Sequence, residues 1–284
     1  MSQRAGSNPA HPNIKNGDKV MNIGIFGYGV VGQAVFCGFY VNNKIKIYDK
    51  YKKGLHSAKD VVDKSEIIFI CVPTETINET QDLSNVEECV REIDSLTKNR
   101  KVIVIKSTIL PGTTRNISNL YPDHGFIFNP EFLTERTSNE DFKNQKQVVL
   151  GCKESSQSVD KVKKLYKESL PDIPIEIVSW EIAELLKYTC NTFYSTKITF
   201  ANQIYMVCKK LNIDYEVIKR LFIANGWVSP THLDVPGHDK KCGYGGKCFP
   251  KDIKAFVVWG EENHIDLSLL KEVDIINEIK RTLR

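Results

Sequence analysis

A short apolar run that ends in glycines narrows the fold more than any other feature. Met21-Asn22-Ile23-Gly24-Ile25-Phe26 leads straight into Gly27-Tyr28-Gly29-Val30-Val31-Gly32, and Asp49 closes the next apolar run about 20 residues on. This is the order strand, tight turn, helix, strand, acid. Glycines let the backbone turn sharply and come close to a pyrophosphate, whose charge the N-terminus of the following helix favours. A carboxylate at Asp49 can accept hydrogen bonds from adenosine ribose hydroxyls and would repel a 2′-phosphate, which favours NAD over NADP. Plain tight turns use the same glycines, so the reading rests on the strand before them, the helix after them and the acid beyond. Gly27, Tyr28, Gly29, Val30, Val31, Gly32 and Asp49 are the candidate cofactor residues.

Further apolar runs at Ile45 to Tyr48, Ile67 to Val72, Val102 to Lys106, Gly125 to Phe128, Gln147 to Gly151 and Ile175 to Val178 are mostly separated by helix-length segments. That alternation predicts an α/β architecture, a Rossmann-like doubly wound parallel sheet over residues 21–178. Strand signals then fade. Trp180 to about Leu211, Tyr215 to Ala224, Pro250 to about Asn263 and Leu267 to the end repeat apolar residues at helical spacing, with a Gly, Pro, His and Asp-rich loop over 225–246. An all-helical second domain over 179–284 follows. Residues 1–20 lack apolar periodicity and read as a disordered leader. A length of 284 residues suits two such domains.

A net charge of +4, from 39 basic and 35 acidic residues, is too slight to argue for nucleic acid but is compatible with an anionic small molecule. There is no signal-peptide pattern and no apolar run of membrane-spanning length, so no membrane partner is expected. Eight cysteines scattered through such a chain point to a reducing cytoplasm, with most of them buried as thiols. Cys242 and Cys248 lack a second pair at zinc spacing, so no metal is expected.

Ligands of an open parallel sheet bind beyond the carboxyl ends of its strands. Three such ends carry polar or kinked sequences: Cys71-Val72-Pro73-Thr74, Lys106-Ser107-Thr108 with Pro111 to Thr114, and Asn129-Pro130-Glu131-Phe132-Leu133-Thr134-Glu135. Any one of them could simply end a strand or cap a helix; all three together weaken that account. In the helical region Lys187 and Asn191 stand four residues apart, hence on one helix face, with Lys197 and Asn202 beyond. An ammonium beside a carboxamide can stabilise a developing oxyanion, although a solvated lysine and a helix-bonded asparagine would share the pattern. Gly245-Gly246-Lys247-Cys248-Phe249-Pro250-Lys251-Asp252 sets a cysteine at the start of a helix, where the macrodipole and flanking lysines favour the reactive thiolate. Asp252, one turn on, can hold a water or orient Lys187.

Taken together these motifs resemble the UDP-glucose/GDP-mannose dehydrogenase family, over nearly everything from Met21 onward. The resemblance implies NAD-dependent four-electron oxidation of a nucleotide sugar, UDP-glucose to UDP-glucuronate by preference, through a thiohemiacetal and a thioester on Cys248. It implies that Lys187 and Asn191 stabilise oxyanions, that Asp252 assists proton transfer, that Glu131 activates the hydrolytic water, and that Thr108 positions water and cofactor. Val72, Pro73, Thr74, Thr108 and Lys251 join the cofactor site. Glu131, Phe132, Leu133, Glu135, Lys187, Asn191, Tyr244, Gly245 and Cys248 form the substrate site, and the central helices form a homodimer. The chain stops at Arg284, before the C-terminal nucleotide-binding domain that the family usually carries. The span from Asp49 to Cys71 is short for the family, Arg136 replaces its usual glycine, and the loop Val235-Pro236-Gly237-His238-Asp239-Lys240-Lys241 lacks its common arginine. Substrate phosphates could then fall to His238, Lys240 or Lys241. Two other functions fit parts of the pattern: a noncatalytic NAD or nucleotide-sugar binding protein, and a simpler 3-hydroxyacid-type dehydrogenase, which leaves the Cys248 segment unexplained.

Overall fold

A computed structural model describes residues 20–153 and 157–282, so the expected leader lies, but for its last residue, outside the described part. The chain divides into two compact units, the first holding residues up to Thr74 together with Asp82–Lys187, the second Glu75–Gln81 together with the residues from Tyr188 on. In chain order the elements are β1 (Asn22–Phe26), α1 (Val30–Phe39), β2 (Lys44–Tyr48), α2 (Ala58–Lys64), β3 (Ile67–Ile70), β4 (Thr76–Ile77), β5 (Thr80–Gln81), α3 (Ser84–Leu96), β6 (Val102–Ile105), α4 (Thr113–Leu120), β7 (Gly125–Phe128), α5 (Ser138–Lys143), β8 (Val148–Gly151), α6 (Gln157–Ser169), β9 (Ile175–Val178), α7 (Trp180–Leu211), α8 (Tyr215–Ala224), α9 (Phe249–Glu262) and α10 (Ser268–Thr282).

The first unit is built on a seven-stranded sheet in the order β2-β1-β3-β6-β7-β8-β9. Every residue of β3, β6, β7 and β8 is buried, as a sheet covered on both faces requires. Strand periodicity sorts these side chains between two cores. Ile23, Ile25, Phe69 and Val104 pack with Val35 and Phe39 of α1 on one face, while Phe26, Ile68, Ile70, Ile103 and Ile105 pack with Val61, Val86 and Val90 on the other.

The sheet departs from the expected all-parallel form at one point: β8 meets β7 antiparallel, through the single pair Phe128↔Gly151, before β9 resumes a parallel partnership with β8. A parallel crossover normally needs a long helix laid along the sheet. The only helix in that connection, α5, has 6 residues and docks on α1 instead. Its Phe142 lies edge-on to Phe39 at 5.3 Å and fills the place where a side chain on Gly38 would stand.

In the second unit, β4 and β5 form a hairpin that the sequence reading missed, turning through Asn78 and Glu79, both at positive φ. Thr76 Oγ1 donates to the carbonyl of Lys251 at 2.9 Å and Gln81 Nε2 to Tyr188 Oη at 2.8 Å. Tyr188 stacks on Phe256, which stacks on Trp259. Asp214 caps α8 by accepting from the backbone of Glu216, and Pro250 opens α9. The change of unit comes after Lys187 rather than after Val178, because the first turns of α7 still belong to the sheet. Trp180 and Ala183 lie in its second core, and Trp180 Nε1 donates to Phe126 O at 3.1 Å. No helix among the described residues is long and apolar enough to cross a membrane.

Gly38 sits within α1, where alanine would favour the helix by roughly 1 kcal/mol. A methyl group there would stand 2.0 Å from Phe142 Cε1, so the clash outweighs the propensity. Gly38→Ala is expected to destabilise the first unit by about 1–3 kcal/mol in urea unfolding, with Phe142→Leu in the double variant recovering part of the loss.

Candidate active site

The glycine turn is built as its spacing implies. Gly27 adopts φ +90°, and a Cβ there would stand 2.6 Å from Cys71 O; one on Gly32 would stand 2.0 Å from Gly27 O. Those two glycines are required by the turn itself. Gly29 is different: a Cβ there meets nothing within 4 Å, and α1 begins beside it with no side-chain cap and no acid in its first turn. The backbone is thus approachable where the N–H groups of Val30 and Val31 begin a helix, which fits a pyrophosphate. Asp49 accepts from Tyr28 N at 2.7 Å through Oδ2 and from Tyr51 N at 3.0 Å through Oδ1, leaving lone pairs for ribose hydroxyls. Lys52 Nζ donates to Tyr28 O at 2.5 Å and lies 5.4 Å from the centre of the Tyr28 ring.

At the carboxyl ends of β3 and β6 the side chains tie one strand to the next. Ser107 Oγ donates to Val72 O at 2.7 Å, Thr74 Oγ1 to Thr108 O at 2.7 Å, and Asn85 Nδ2 to Pro73 O at 3.1 Å. Val72, Pro73, Thr74 and Thr108, the expected cofactor neighbours, therefore form one hydrogen-bonded edge.

Beyond β7, Lys187 Nζ holds Glu131 twice, by its carboxylate at 2.9 Å and its carbonyl at 2.6 Å. The other carboxylate oxygen accepts from Leu133 N at 2.8 Å. Burial pushes the Glu131 carboxyl up, but Lys187, the Leu133 N–H and the more distant Lys106 outweigh it and hold it below the usual carboxylate range. Phe132 is exposed, with its ring centre 5.6 Å from Lys187 Nζ, and Leu133 packs on the first core. Glu135 takes no part in this cluster. The segment after Glu131 stays non-helical until Ser138 instead of forming a turn of helix, and Glu135 is left exposed.

A second buried carboxylate in this unit has opposite electrostatics. Glu184 accepts from Gly112 N at 2.7 Å, Thr114 N at 2.8 Å and Thr114 Oγ1 at 2.6 Å, closing the N-terminus of α4. Among the described residues no salt bridge reaches it, and burial pushes its carboxyl up to about 7 against those three donors.

In the second unit, Cys248 is exposed immediately before α9. Asp252, one turn into that helix and only 1% exposed, accepts from Asn191 Nδ2 at 2.6 Å and pairs with Lys251 at 2.5 Å. The glycine turn ahead of the cysteine is clamped by two buried carboxamides. Asn202 Oδ1 accepts from Gly243 N at 2.9 Å, and Asn277 Oδ1 accepts from Tyr244 N at 2.7 Å while its Nδ2 donates to Tyr244 O at 3.1 Å. Gly245 leaves room for the Arg281 guanidinium, whose Nη2 would stand 2.2 Å from a Cβ there and which Asp239 holds at 2.6 Å. Tyr244, expected at the substrate, is instead buried beside Ile253 and Val273, with its hydroxyl donated to Asp274 at 3.0 Å. Its ring completes a hydrophobic cluster, which explains why an aromatic stands among these glycines.

Sequence reasoning named Lys106 only within a strand end and Asn202 only as lying beyond Asn191, and it missed Asn277 and Arg281 as part of the frame of the Cys248 turn. Lys106 was legible in principle, since it ends the wholly apolar strand Val102–Ile105. Asn277 and Arg281 stand in the amphipathic helix α10 and carried no signal of their own.

A sequence profile described as UDP-glucose/GDP-mannose dehydrogenase family, NAD binding domain, matches residues 46–170, and the central-domain profile of the same family matches residues 181–279. The first match begins beyond the glycine turn, whose assignment rests on its own geometry. The chain is 34% identical over 227 residues to a UDP-glucose 6-dehydrogenase of Rickettsia bellii, covering 77% of this chain and 50% of that one. It is 31% identical over 241 residues to a GDP-mannose 6-dehydrogenase of Pseudomonas putida, covering 80% of this chain and 53% of that one. The solved structure of a UDP-glucose dehydrogenase from Pyrobaculum islandicum superposes with a TM-score of 0.81 at 26% identity, over 94% of this chain and 70% of that one. The chain spans about half the length of these curated relatives.

Glu184 yields a pH test. Below pH 4.5 it is protonated both folded and unfolded; between there and about 7 the fold retains a proton that the unfolded chain releases. Stability from this group is therefore greatest at the acid end and falls by about 3 kcal/mol as pH rises through that window. Urea unfolding from pH 4.5 to 8 should show that downward contribution in the wild type and not in Glu184→Gln.

Proposed function

The chain belongs to the UDP-glucose/GDP-mannose dehydrogenase family, and from that premise we propose that it oxidises the primary alcohol of a nucleotide sugar, UDP-glucose by preference, to the carboxylate. The observation that carries this is the exposed Cys248 at the start of α9, one turn from a buried Asp252 that Asn191 and Lys251 hold in place. Bound NAD supplies the hydride acceptor for both oxidations. The candidates to hold it are the turn Gly27 to Gly32, with Asp49, and the strand-end residues Val72, Pro73, Thr74 and Thr108.

Once the alcohol is an aldehyde, the Cys248 thiolate adds to its carbon and forms a thiohemiacetal, a better reductant than the hydrated aldehyde. Its oxidation leaves a thioester. Lys187 and Asn191 are assigned the stabilisation of the oxygen that gains negative charge at each stage, and Asp252 the transfer of the alcohol and thiol protons. Glu131, ionised and fixed by Lys187 and Leu133 N–H, accepts a proton from the water that attacks the thioester. Carboxylate and thiol are released. Thr108 is assigned to orient that water and Lys251 to support Asp252, and Phe132, Leu133, Glu135 and the backbone at Tyr244 and Gly245 are the candidates to contact the sugar.

UDP-glucose is the first choice because the relative at 34% identity is named for it, with GDP-mannose and UDP-N-acetylmannosamine next. A reducing cytoplasm suits a nucleophile that works as a thiol. We also propose a homodimer through the central helices, because Phe193, Phe200 and Val207 recur every seven residues as one exposed apolar stripe of α7. Phe200→Lys is expected to give a monomeric mass by light scattering where the wild type gives twice that; a monomeric wild type overturns the dimer.

Nicotinamide absorbance should report about two NADH formed per sugar nucleotide consumed, and Cys248→Ala should abolish conversion to the acid, a loss of about a thousandfold or more. NAD binding by calorimetry without turnover on any of the three sugar nucleotides leaves a binding protein and rejects the enzyme.

A further inference from the structure

Two buried ammonium groups bracket the turn that carries Glu131. Lys187 comes from α7 and holds the carboxylate and carbonyl of Glu131 itself. Lys106 comes from the end of β6, is 3% exposed, and holds Asn129 two residues earlier, at Oδ1 (2.8 Å) and at the carbonyl (3.3 Å). Asn129 is fixed on every side. Its N–H donates to Ile105 O at 2.9 Å, its Nδ2 to Val149 O at 2.8 Å, and its Oδ1 also accepts from Tyr166 Oη at 2.5 Å. Pro130 then removes one more degree of freedom before Glu131.

The hydrogen bonds alone do not call for a lysine, since a neutral amide would donate as well and cost less to bury. What an ammonium adds is charge. The titratable groups that face Lys106 are Cys71 at the end of β3, Glu131 and Lys187, with Tyr166 reached through Asn129 and the Phe142 ring centre 6.0 Å away. Burial pushes the Cys71 thiol up to about 12 and the Tyr166 phenol above its usual range, so both are neutral at physiological pH. Two cations and one carboxylate remain.

We propose that Lys106 is a positioning residue for Glu131: through Asn129, which Tyr166 also holds, it fixes the start of the turn that aims the carboxylate for thioester hydrolysis, and its charge adds to that of Lys187 beside that carboxylate. The hydrolytic role of Glu131 is taken from the proposed function above. Burial lowers Lys106 to about 8, so its own proton is lost just above neutrality and with it part of the hold on Glu131.

The test is a carboxyl-carbon NMR titration of Glu131 in the full chain, its signal assigned by its loss in Glu131→Gln. Lys106→Met should raise the Glu131 midpoint by about one unit, a tenfold rise in proton affinity, and Lys106→Arg should restore it. Linkage requires the reciprocal shift, so in Glu131→Gln the Lys106 midpoint should fall by a similar amount, a measurement that stands even if Lys106→Met does not fold. With substrate, Lys106→Met should release a first-turnover burst of NADH followed by a steady rate about tenfold slower, because the carboxylate, still ionised at neutral pH, is no longer aimed by its turn, with KM within about twofold of wild type. Unmoved midpoints in both variants overturn the proposal, as does a shifted Glu131 with hydrolysis at the wild-type rate. Absence of NADH from the wild type with any sugar nucleotide rejects the proposed function and leaves the electrostatic coupling to be decided by the titrations.

Discussion

A sheet covered on both faces leaves its strand ends as the places where polar side chains can reach one another. Here those ends are laced together. Ser107 reaches back to Val72, Thr74 to Thr108, Lys106 to Asn129, and Asn129 to Val149, so that β3, β6, β7 and β8 are joined by side chains where their backbone ladders stop. An unsatisfied polar group at this depth costs about 1–3 kcal/mol, and each partner therefore restrains the next. The Glu131 turn inherits its position from that lacing rather than from regular secondary structure.

Two carboxylates in the same unit show what a buried acid responds to. Glu131 and Glu184 are both removed from water and both accept strong hydrogen bonds, yet one is held below the ordinary range and the other is raised to about 7. The difference is full charge. Lys187 and Lys106 act on Glu131, whereas Glu184 has only neutral N–H and O–H donors at a helix terminus, and these do not offset its lost hydration. Glu131 is thereby kept ionised, as a base must be, whereas Glu184 closes α4.

Much of the fold was legible because β1, β3, β6 and β7 are apolar at every buried position and are bounded by glycine, proline or polar turns. The reversal of β8 was not, because strand direction depends on where the intervening helix docks, and Phe142 finds its place on Gly38 only once α1 is present. The β4–β5 hairpin escaped notice since strands of two residues have no period to read. At the site, Glu131, Lys187, Asn191, Asp252 and Cys248 were all legible as chemistry-bearing residues, but their pairings were not. Asp252 is held by Asn191 and Lys251, and the Tyr244 ring is buried beside Ile253 and Val273, a packing that depends on α9 and α10 both being in place.

Asp49 bears on how cofactor choice can change over evolution or by engineering. Both of its oxygens fasten backbone N–H groups, one in the glycine turn and one just past β2. The carboxylate proposed to discriminate against a 2′-phosphate is thus also a strut of the glycine turn. Exchanging it for a small neutral side chain would widen the adenosine site and loosen the turn in the same step, so a route to the phosphorylated cofactor would have to supply a new strut first. Preference and architecture are coupled through one carboxylate.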